Sequence, residues 1–408
     1  MLAERTYMKY IFSVIAALAF LFNSCSVQNK LYSWEKDSIA TIADAAICYG
    51  GHSARKPYLW TPERFEKTVL YKDENGQEHW FFDNMIMMEL WTDNYAVTYS
   101  IANDGRSSSR KEHWQEQLDY WFDSQHGFAA LEQCICDAAS RIGNPPTKRG
   151  IIFSLPDPVY FEHYTNAMKG VNKNTVYWGE IDGVQMDFSK PEDRIKAYEW
   201  LIDAVRAKFA ESKYKHIELI GFYVLSEELA VPGSFRYEYK QHDITIKAVA
   251  DYCHSVNEGF YWVPYAMAPG IERSKDFGFD LVVMQPNYYW TDCKWSWDQI
   301  EKKIKDYDLG MELEFEGTNG EPLKSSILSK LSNGQDNPYA ERNKARFVEY
   351  LDNAKARGLY GTRPFVLYTG SNALYEIAVS EDSADQELYH KLGKFIINSP
   401  LKKQVNAE

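Results

Sequence analysis

Three glutamates alternate with apolar residues in GMELEFEG, residues 310–317. In an extended chain Glu312, Glu314 and Glu316 therefore share one face, and Met311, Leu313 and Phe315 the other. A second pair of carboxylates, Glu227 and Glu228, closes the apolar run LIGFYVLSEEL, residues 219–229. Two carboxyl groups brought to one cavity can divide the work: one keeps its proton and acts as a general acid, while the other stays ionised as nucleophile or base. Their mutual repulsion raises the pKa of at least one, as an acid at neutral pH requires. An exposed edge strand would show the same alternation, so the position of GMELEFEG in the fold decides between the two.

Eight short apolar runs punctuate the chain: AAICYG from Ala45, NMIMMEL from Asn84, GIIFSL from Gly150, IELIGFYVL from Ile217, FYWVPYA from Phe260, DLVVMQP from Asp280, MELEFE from Met311 and PFVLYTG from Pro364. Between them lie helical patterns at 113–143, 191–212, 296–308 and 340–358, opened by Pro191 in one case and closed by Gly143 and Gly358 in two others. Strands alternating with helices, eight in number, predict a (β/α)8 barrel as a single domain over residues 43–400, with residues 55–83 as an insertion after the first strand. The active site of such a barrel lies at the carboxyl ends of its strands. Runs four and seven both deliver glutamates there: Glu227 and Glu228 from the one, Glu312, Glu314 and Glu316 from the other. Glu312 would tune the others' charge or bind hydroxyls, and Glu228 fits a helix N-terminus or the surface. Gln285, Asn287, Asp83 and Glu89 also fall near strand ends. After the first strand, YGGHSARKPYLW requires a turn at Gly50–Gly51 and supplies His52, Arg55 and Trp60.

Composition narrows the partners. A formal charge of −13 with no stripe of Lys and Arg argues against nucleic acid or an anionic membrane surface. The amino terminus reads MKYIFSVIAALAFLFNSCS from Met8, with Lys9 ahead of an apolar run too short to span a bilayer and small residues before Cys25. That order predicts a lipoprotein signal over residues 1–24, Cys25 as the lipidated residue and a tether over 25–42. The protein would then be extracytoplasmic and held on a bacterial membrane, the outer one by preference. The remaining cysteines (Cys48, Cys134, Cys136, Cys253 and Cys293) are odd in number and scattered, which implies no disulfide framework. No zinc-ligand spacing, calcium loop, phosphate loop or Gly-x-Ser-x-Gly elbow is present, so the cysteines read as packing residues and neither metal nor cofactor is expected.

On these residues the chain resembles the large clan of retaining glycoside hydrolases built on (β/α)8 barrels. LIGFYVLSEE is similar to the clan's strand-four motif, with Ser226 where members have Asn, and ELEFEG is similar to its strand-seven motif. NMIMMEL lacks the arginine that many members carry on strand two. The resemblance implies Glu227 as acid/base and Glu314 as nucleophile, with Glu316 taking that role if the strand ends later. MQPNYYW resembles members that set a tyrosine beside the nucleophile, here Tyr288 or Tyr289. ICYGG together with WFFDNMIMMEL resembles Bacteroides-type lipoproteins of domain of unknown function 4855. Aromatic residues make up 15% of the chain, and Trp262, Tyr265, Tyr288, Tyr289 and Trp290 are placed to stack on the apolar faces of sugar rings, with Asn287 bonding hydroxyls. The expectation is a two-glutamate hydrolase of a poly- or oligosaccharide. The alternative is a catalytically silent carbohydrate-binding lipoprotein on the same barrel. Nothing in the sequence specifies an oligomeric state.

Overall fold

The computed structural model describes residues 39–51, 59–100, 107–159, 177–229, 242–290, 295–315, 326–331, 333–370 and 372–407. Cys25 and the segment assigned to the signal and most of the tether lie outside them. Every apolar run is a strand, and the eight close into a parallel barrel: β1 (Asp44–Gly50), β2 (Asn84–Glu89), β3 (Arg149–Leu155), β4 (Ile217–Val224), β5 (Gly259–Trp262), β6 (Leu281–Met284), β7 (Gly310–Glu314) and β8 (Phe365–Tyr368). Each strand pairs with its neighbours in the chain, and β8 returns to β1 through Asp44↔Phe365. Strands enclosed by helices outside and by one another inside are buried on both faces, which is why most read as continuous apolar runs. Gly221 lets β4 and β5 approach at the bulge of β4, since a Cβ there would lie 2.3 Å from the carbonyl oxygen of Gly259.

The outer layer contains α1 (Pro62–Val69), α2 (Lys111–Trp121), α3 (Gly127–Ile142), α4 (Pro191–Ser212), α5 (His242–Ser255), α6 (Trp297–Tyr307) and α7 (Ala340–Ala356), followed by α8 (Ala373–Val379), α9 (Ser383–Ile397) and α10 (Pro400–Val405). The segment after β1 carries α1, capped by Thr61 with Pro62 in its first turn, and then a hairpin pairing Leu70–Lys72 with Glu78–Trp80. The pattern over 113–143 is two helices rather than one. Asp123 Oδ1 accepts the backbone N–H groups of Gln125 and His126, and Gly127 turns the chain with φ +55. A side chain at Gly127 would strike the carbonyl of Trp121 at 2.4 Å, so the chain turns there and packs the two helices closely. Among the described residues no helix is long and apolar enough to cross a membrane.

At the amino-terminal end of the barrel, α10 plugs the floor with a buried charge. Lys402 Nζ donates to Asp44 Oδ2 at 2.8 Å and to the Phe81 carbonyl, and pairs with Asp83 Oδ1 at 2.8 Å. Arg149, with no exposed side-chain surface, makes a further ion pair with Asp83. Burial pushes the Asp44 carboxyl up, and Lys402 pulls it back down. Two carboxylates and two cations balance in charge, and each depends on the others for solvation that water no longer supplies. Lys402→Ala is therefore expected to destabilise the fold by about 3–5 kcal/mol in urea unfolding. A loss below about 1 kcal/mol, the range of exposed pairs, would contradict the buried network.

Candidate active site

β7 places Glu312 and Glu314 on the inner face of the barrel. Both are 2% exposed. The alternate residues point outward: Met311 and Leu313 are fully buried, and Phe315 meets Phe347 of α7 edge-on, ring centroids 4.6 Å apart. The acidic side of GMELEFEG, at Glu312 and Glu314, thus faces the barrel interior and its apolar side the helices, while Glu316 lies outside the described residues.

Glu314 ends β7 at the carboxyl mouth and is surrounded by hydrogen-bond donors. The Tyr350 hydroxyl of α7 donates to Oε2, and the Asn287 backbone N–H and the Trp290 indole also donate to the carboxylate. Tyr350 is oriented in turn, because its oxygen accepts the backbone N–H groups of Tyr288 at 3.1 Å and Tyr289 at 3.2 Å. With both lone pairs occupied, the phenol's own proton has to point at Glu314. The loop after β6 can present those N–H groups because Asn287 adopts φ +56, a left-handed backbone that asparagine tolerates better than most residues. Arg346 Nη1 pins that loop by donating to the carbonyls of Tyr288 and Trp290, each at 2.6 Å.

Burial pushes the Glu314 carboxyl up to about 8, the three donors pull against it, and the charge of Glu227 adds to the rise. Glu312, one pleat deeper, is raised well above the usual carboxylate range by burial and then by the charges of Glu314 and Glu227. Its Oε1 has no hydrogen-bond partner among the described residues, so no donor there offsets the burial that favours the neutral form. Glu227 is exposed at the end of β4, where Gln285 Nε2 donates to its Oε1 at 3.3 Å. The Tyr223 hydroxyl lies in the same field: burial raises it first, then the charge of Glu227, with a smaller contribution from Glu312. Three carboxyl groups from β4 and β7 thus share one electrostatic environment, with the exposed member able to reach a ligand from solution.

Several expected positions fall elsewhere. Trp262 is fully buried, stacked on Phe279 and bonded through Nε1 to the Ser226 carbonyl at 2.7 Å, so its ring is core and not a sugar platform. Tyr289 is 2% exposed with its hydroxyl on Ser326, and Tyr288 gives its hydroxyl to Glu349; the tyrosine beside Glu314 is Tyr350. Asn287 acts on Glu314 through its backbone. Tyr265 and Trp290 are half-buried and retain some exposed surface. Asp83 precedes β2 at the floor, joined to Arg149 and Lys402, at the opposite end from Glu314. Glu89 ends β2 and is fully buried; Gly51, at φ +77, leaves room there, because a Cβ would meet Glu89 Oε2 at 3.2 Å and the Trp91 carbonyl at 2.2 Å. Trp60 is core, its Nε1 bonded to the Tyr49 carbonyl. His52 and Arg55 lie outside the described residues. Of the two neighbouring glutamates Glu228 is the buried one, 7% exposed, which removes the surface alternative of the two expected for it. A cavity of about 810 Å³ opens at the floor, lined by His79, Trp80, Asp83, Lys402 and Asn406 among others, and none of Glu227, Glu312 and Glu314 lines it.

Fold and site together define a (β/α)8 barrel with an acidic cluster at its carboxyl mouth. Residues 44–394 match the family described as domain of unknown function (DUF4855), and the chain belongs to that family. No curated protein matches the sequence. Among solved structures it is similar to a complex of a GH113 β-1,4-mannanase, with 12% identity over 90% of this chain and 98% of that one and a TM-score of 0.39. It is also similar to a group IV chitinase of Ostrinia furnacalis in complex with allosamidin, with 8% identity, coverage of 88% and 99%, and a TM-score of 0.41. A D-allulose 3-epimerase from Methylomonas sp. matches at 10% identity, coverage of 90% and 99%, and a TM-score of 0.36.

The raised carboxyls have a consequence for stability. A glutamate that titrates near 4.5 when unfolded and near 8 when buried binds its proton more tightly in the native state. The stability it confers is complete below the unfolded value and lost as pH rises through the native one. Melting temperature should therefore fall as pH rises from about 4.5 to about 8, and Glu312→Gln and Glu314→Gln should flatten that slope and raise the melting temperature on its alkaline side. Scanning fluorimetry across that range checks it, and variants that keep the wild-type slope would show that the two carboxyls are solvated.

Proposed function

We propose that the protein is a glycoside hydrolase that cleaves a poly- or oligosaccharide with retention of configuration, using Glu227 as acid/base and Glu314 as nucleophile. Glu227 gives its proton to the leaving oxygen while a Glu314 oxygen attacks the anomeric carbon, forming a glycosyl ester. Glu227 then takes a proton from water, which hydrolyses that ester and regenerates Glu314 as a carboxylate. The observation that carries this reading is the set of three donors converging on Glu314, one of them a phenol whose proton has no other direction to point. Donors on both sides of a carboxyl group favour its anion and pull against the burial that raises Glu314 to about 8. Positive charge developing at an anomeric carbon would favour it further, and a proton kept on Glu312 avoids a third negative charge beside it. Glu227, exposed just after β4, suits a group that must meet both a leaving oxygen and water.

A polysaccharide digestion screen tests the proposal. Glu227→Gln and Glu314→Gln should each lower kcat by ~10²-fold or more on whichever glycan is cleaved. Tyr350→Phe removes a donor from the carboxylate, a contact of about 1.5–3 kcal/mol, and should move the acid limb of the kcat/KM profile up by about 1–2 pH units. Glycan binding with no product from the wild type would instead support a silent binding protein.

We also propose that Cys25 carries a lipid that holds the protein on the outside of a bacterial membrane, a reading supported by the charged, apolar and small-residue order of residues 8–25. Cys25→Ala should then shift the protein from the membrane to the soluble fraction after lysis, and an unchanged distribution would refute the anchor.

A further inference from the structure

Away from the barrel mouth, the fold joins three side chains that the sequence keeps far apart. Glu132 and Cys136 are one turn apart on α3, and His216 lies 80 residues beyond Cys136, immediately before β4. His216 Nδ1 is 2.9 Å from Glu132 Oε1 and 3.4 Å from Cys136 Sγ, and Cys136 Sγ is 3.9 Å from Glu132 Oε1. The three donor atoms form a closed triangle, all within 4.8 Å of one another. Each side chain is partly buried, with 18% of His216 and 16% of Glu132 exposed.

We propose that Glu132, Cys136 and His216 bind a divalent transition metal of zinc type. Tetrahedral zinc holds sulfur at about 2.3 Å, nitrogen at about 2.0–2.1 Å and oxygen at about 2.0–2.2 Å, which sets neighbouring ligands about 3.3–3.6 Å apart. The observed edges bracket that range. A Cys–His–acid relay is the competing use of these residue types, and the geometry does not permit it. Such a relay needs the thiol on one ring nitrogen and the carboxylate on the other, whereas here both face Nδ1. Convergence of three heteroatoms on one point suits a shared ion.

The surroundings are those of an oriented ligand set. Glu132 is fixed by the backbone N–H groups of Lys215, on Oε1 at 3.0 Å, and of His216, on Oε2 at 3.1 Å. The His216 carbonyl accepts the backbone N–H of Arg149, so the imidazole is anchored at the head of the β3–β4 ladder. One thiolate, one imidazole and one carboxylate favour zinc or cobalt over magnesium or calcium, and partial exposure leaves a fourth position for water. Binding releases the Cys136 thiol proton and needs the His216 ring proton on Nε2 so that Nδ1 can ligate, and a thiolate and a carboxylate then balance the ion's two positive charges. The metal would tie the middle of α3 to the entry of β4, near the barrel floor.

Cobalt(II) titration of the reduced, chelator-stripped protein tests this directly. One equivalent should produce a thiolate-to-cobalt charge-transfer band that zinc abolishes, and zinc should raise the melting temperature. Cys136→Ser should lose the band and the zinc-dependent rise, with Cys134→Ser as a control that keeps both. Glu132→Gln, which retains an oxygen for the backbone N–H groups, should weaken cobalt binding by ~10-fold or more. Absence of the band in the wild type, or its survival in Cys136→Ser, would overturn the proposal.

Discussion

Burial of Glu312 and Glu314 on the inner face of one strand is the constraint around which the carboxyl end of this barrel is arranged. Charged groups removed from water must be neutralised or supplied with donors, and the two glutamates take different routes. Glu312 has no donor on Oε1, and burial favours its neutral form. Glu314 is given Tyr350, Trp290 and the Asn287 backbone, and those donors in turn determine much else. The loop after β6 takes a left-handed turn at Asn287, Arg346 ties that loop to α7, and α7 lies where its phenol can reach the end of β7.

The two ends of the barrel solve the problem of buried charge in opposite ways. At the floor, Asp44, Asp83, Arg149 and Lys402 compensate one another and close the structure with its last helix. At the mouth, like charges are crowded and compensation comes from neutral donors, an arrangement that costs stability as pH rises. That asymmetry matches the general division of such barrels into a stabilising amino-terminal face and a reactive carboxyl-terminal one. The cluster on α3 and β4 belongs to the stabilising half.

Much of the fold was legible because parallel barrel strands, buried on both sides, stand out as apolar runs between amphipathic helices. GMELEFEG was legible for the complementary reason, being the run in which alternate residues refuse to be apolar. Tyr350 was not, since a tyrosine among Phe347, Leu351 and Ala354 looks like part of a helix's buried stripe until the loop after β6 is seen to orient its hydroxyl. Trp262 and Tyr289 misled because an aromatic residue near a strand end is equally at home in the core. Asp83 precedes its strand, and in a parallel barrel the chain direction alone sends such a residue to the floor and not to the mouth. Cys136 and His216 lie too far apart for any ligand spacing to register, and the break at Gly127 hid inside an otherwise continuous helical pattern.

The central claim is that Glu314 acts as a nucleophile, and covalent trapping tests it most directly. Incubation with a panel of 2-deoxy-2-fluoro glycosides bearing good leaving groups should stall the reaction at the glycosyl ester, because the fluorine disfavours positive charge at the anomeric carbon in both steps and the activated leaving group restores only the first. Peptide mass spectrometry should then find one sugar attached to Glu314. A label on Glu316 or Glu227 instead, or turnover of a cleavable glycan with inverted product configuration, would contradict the account.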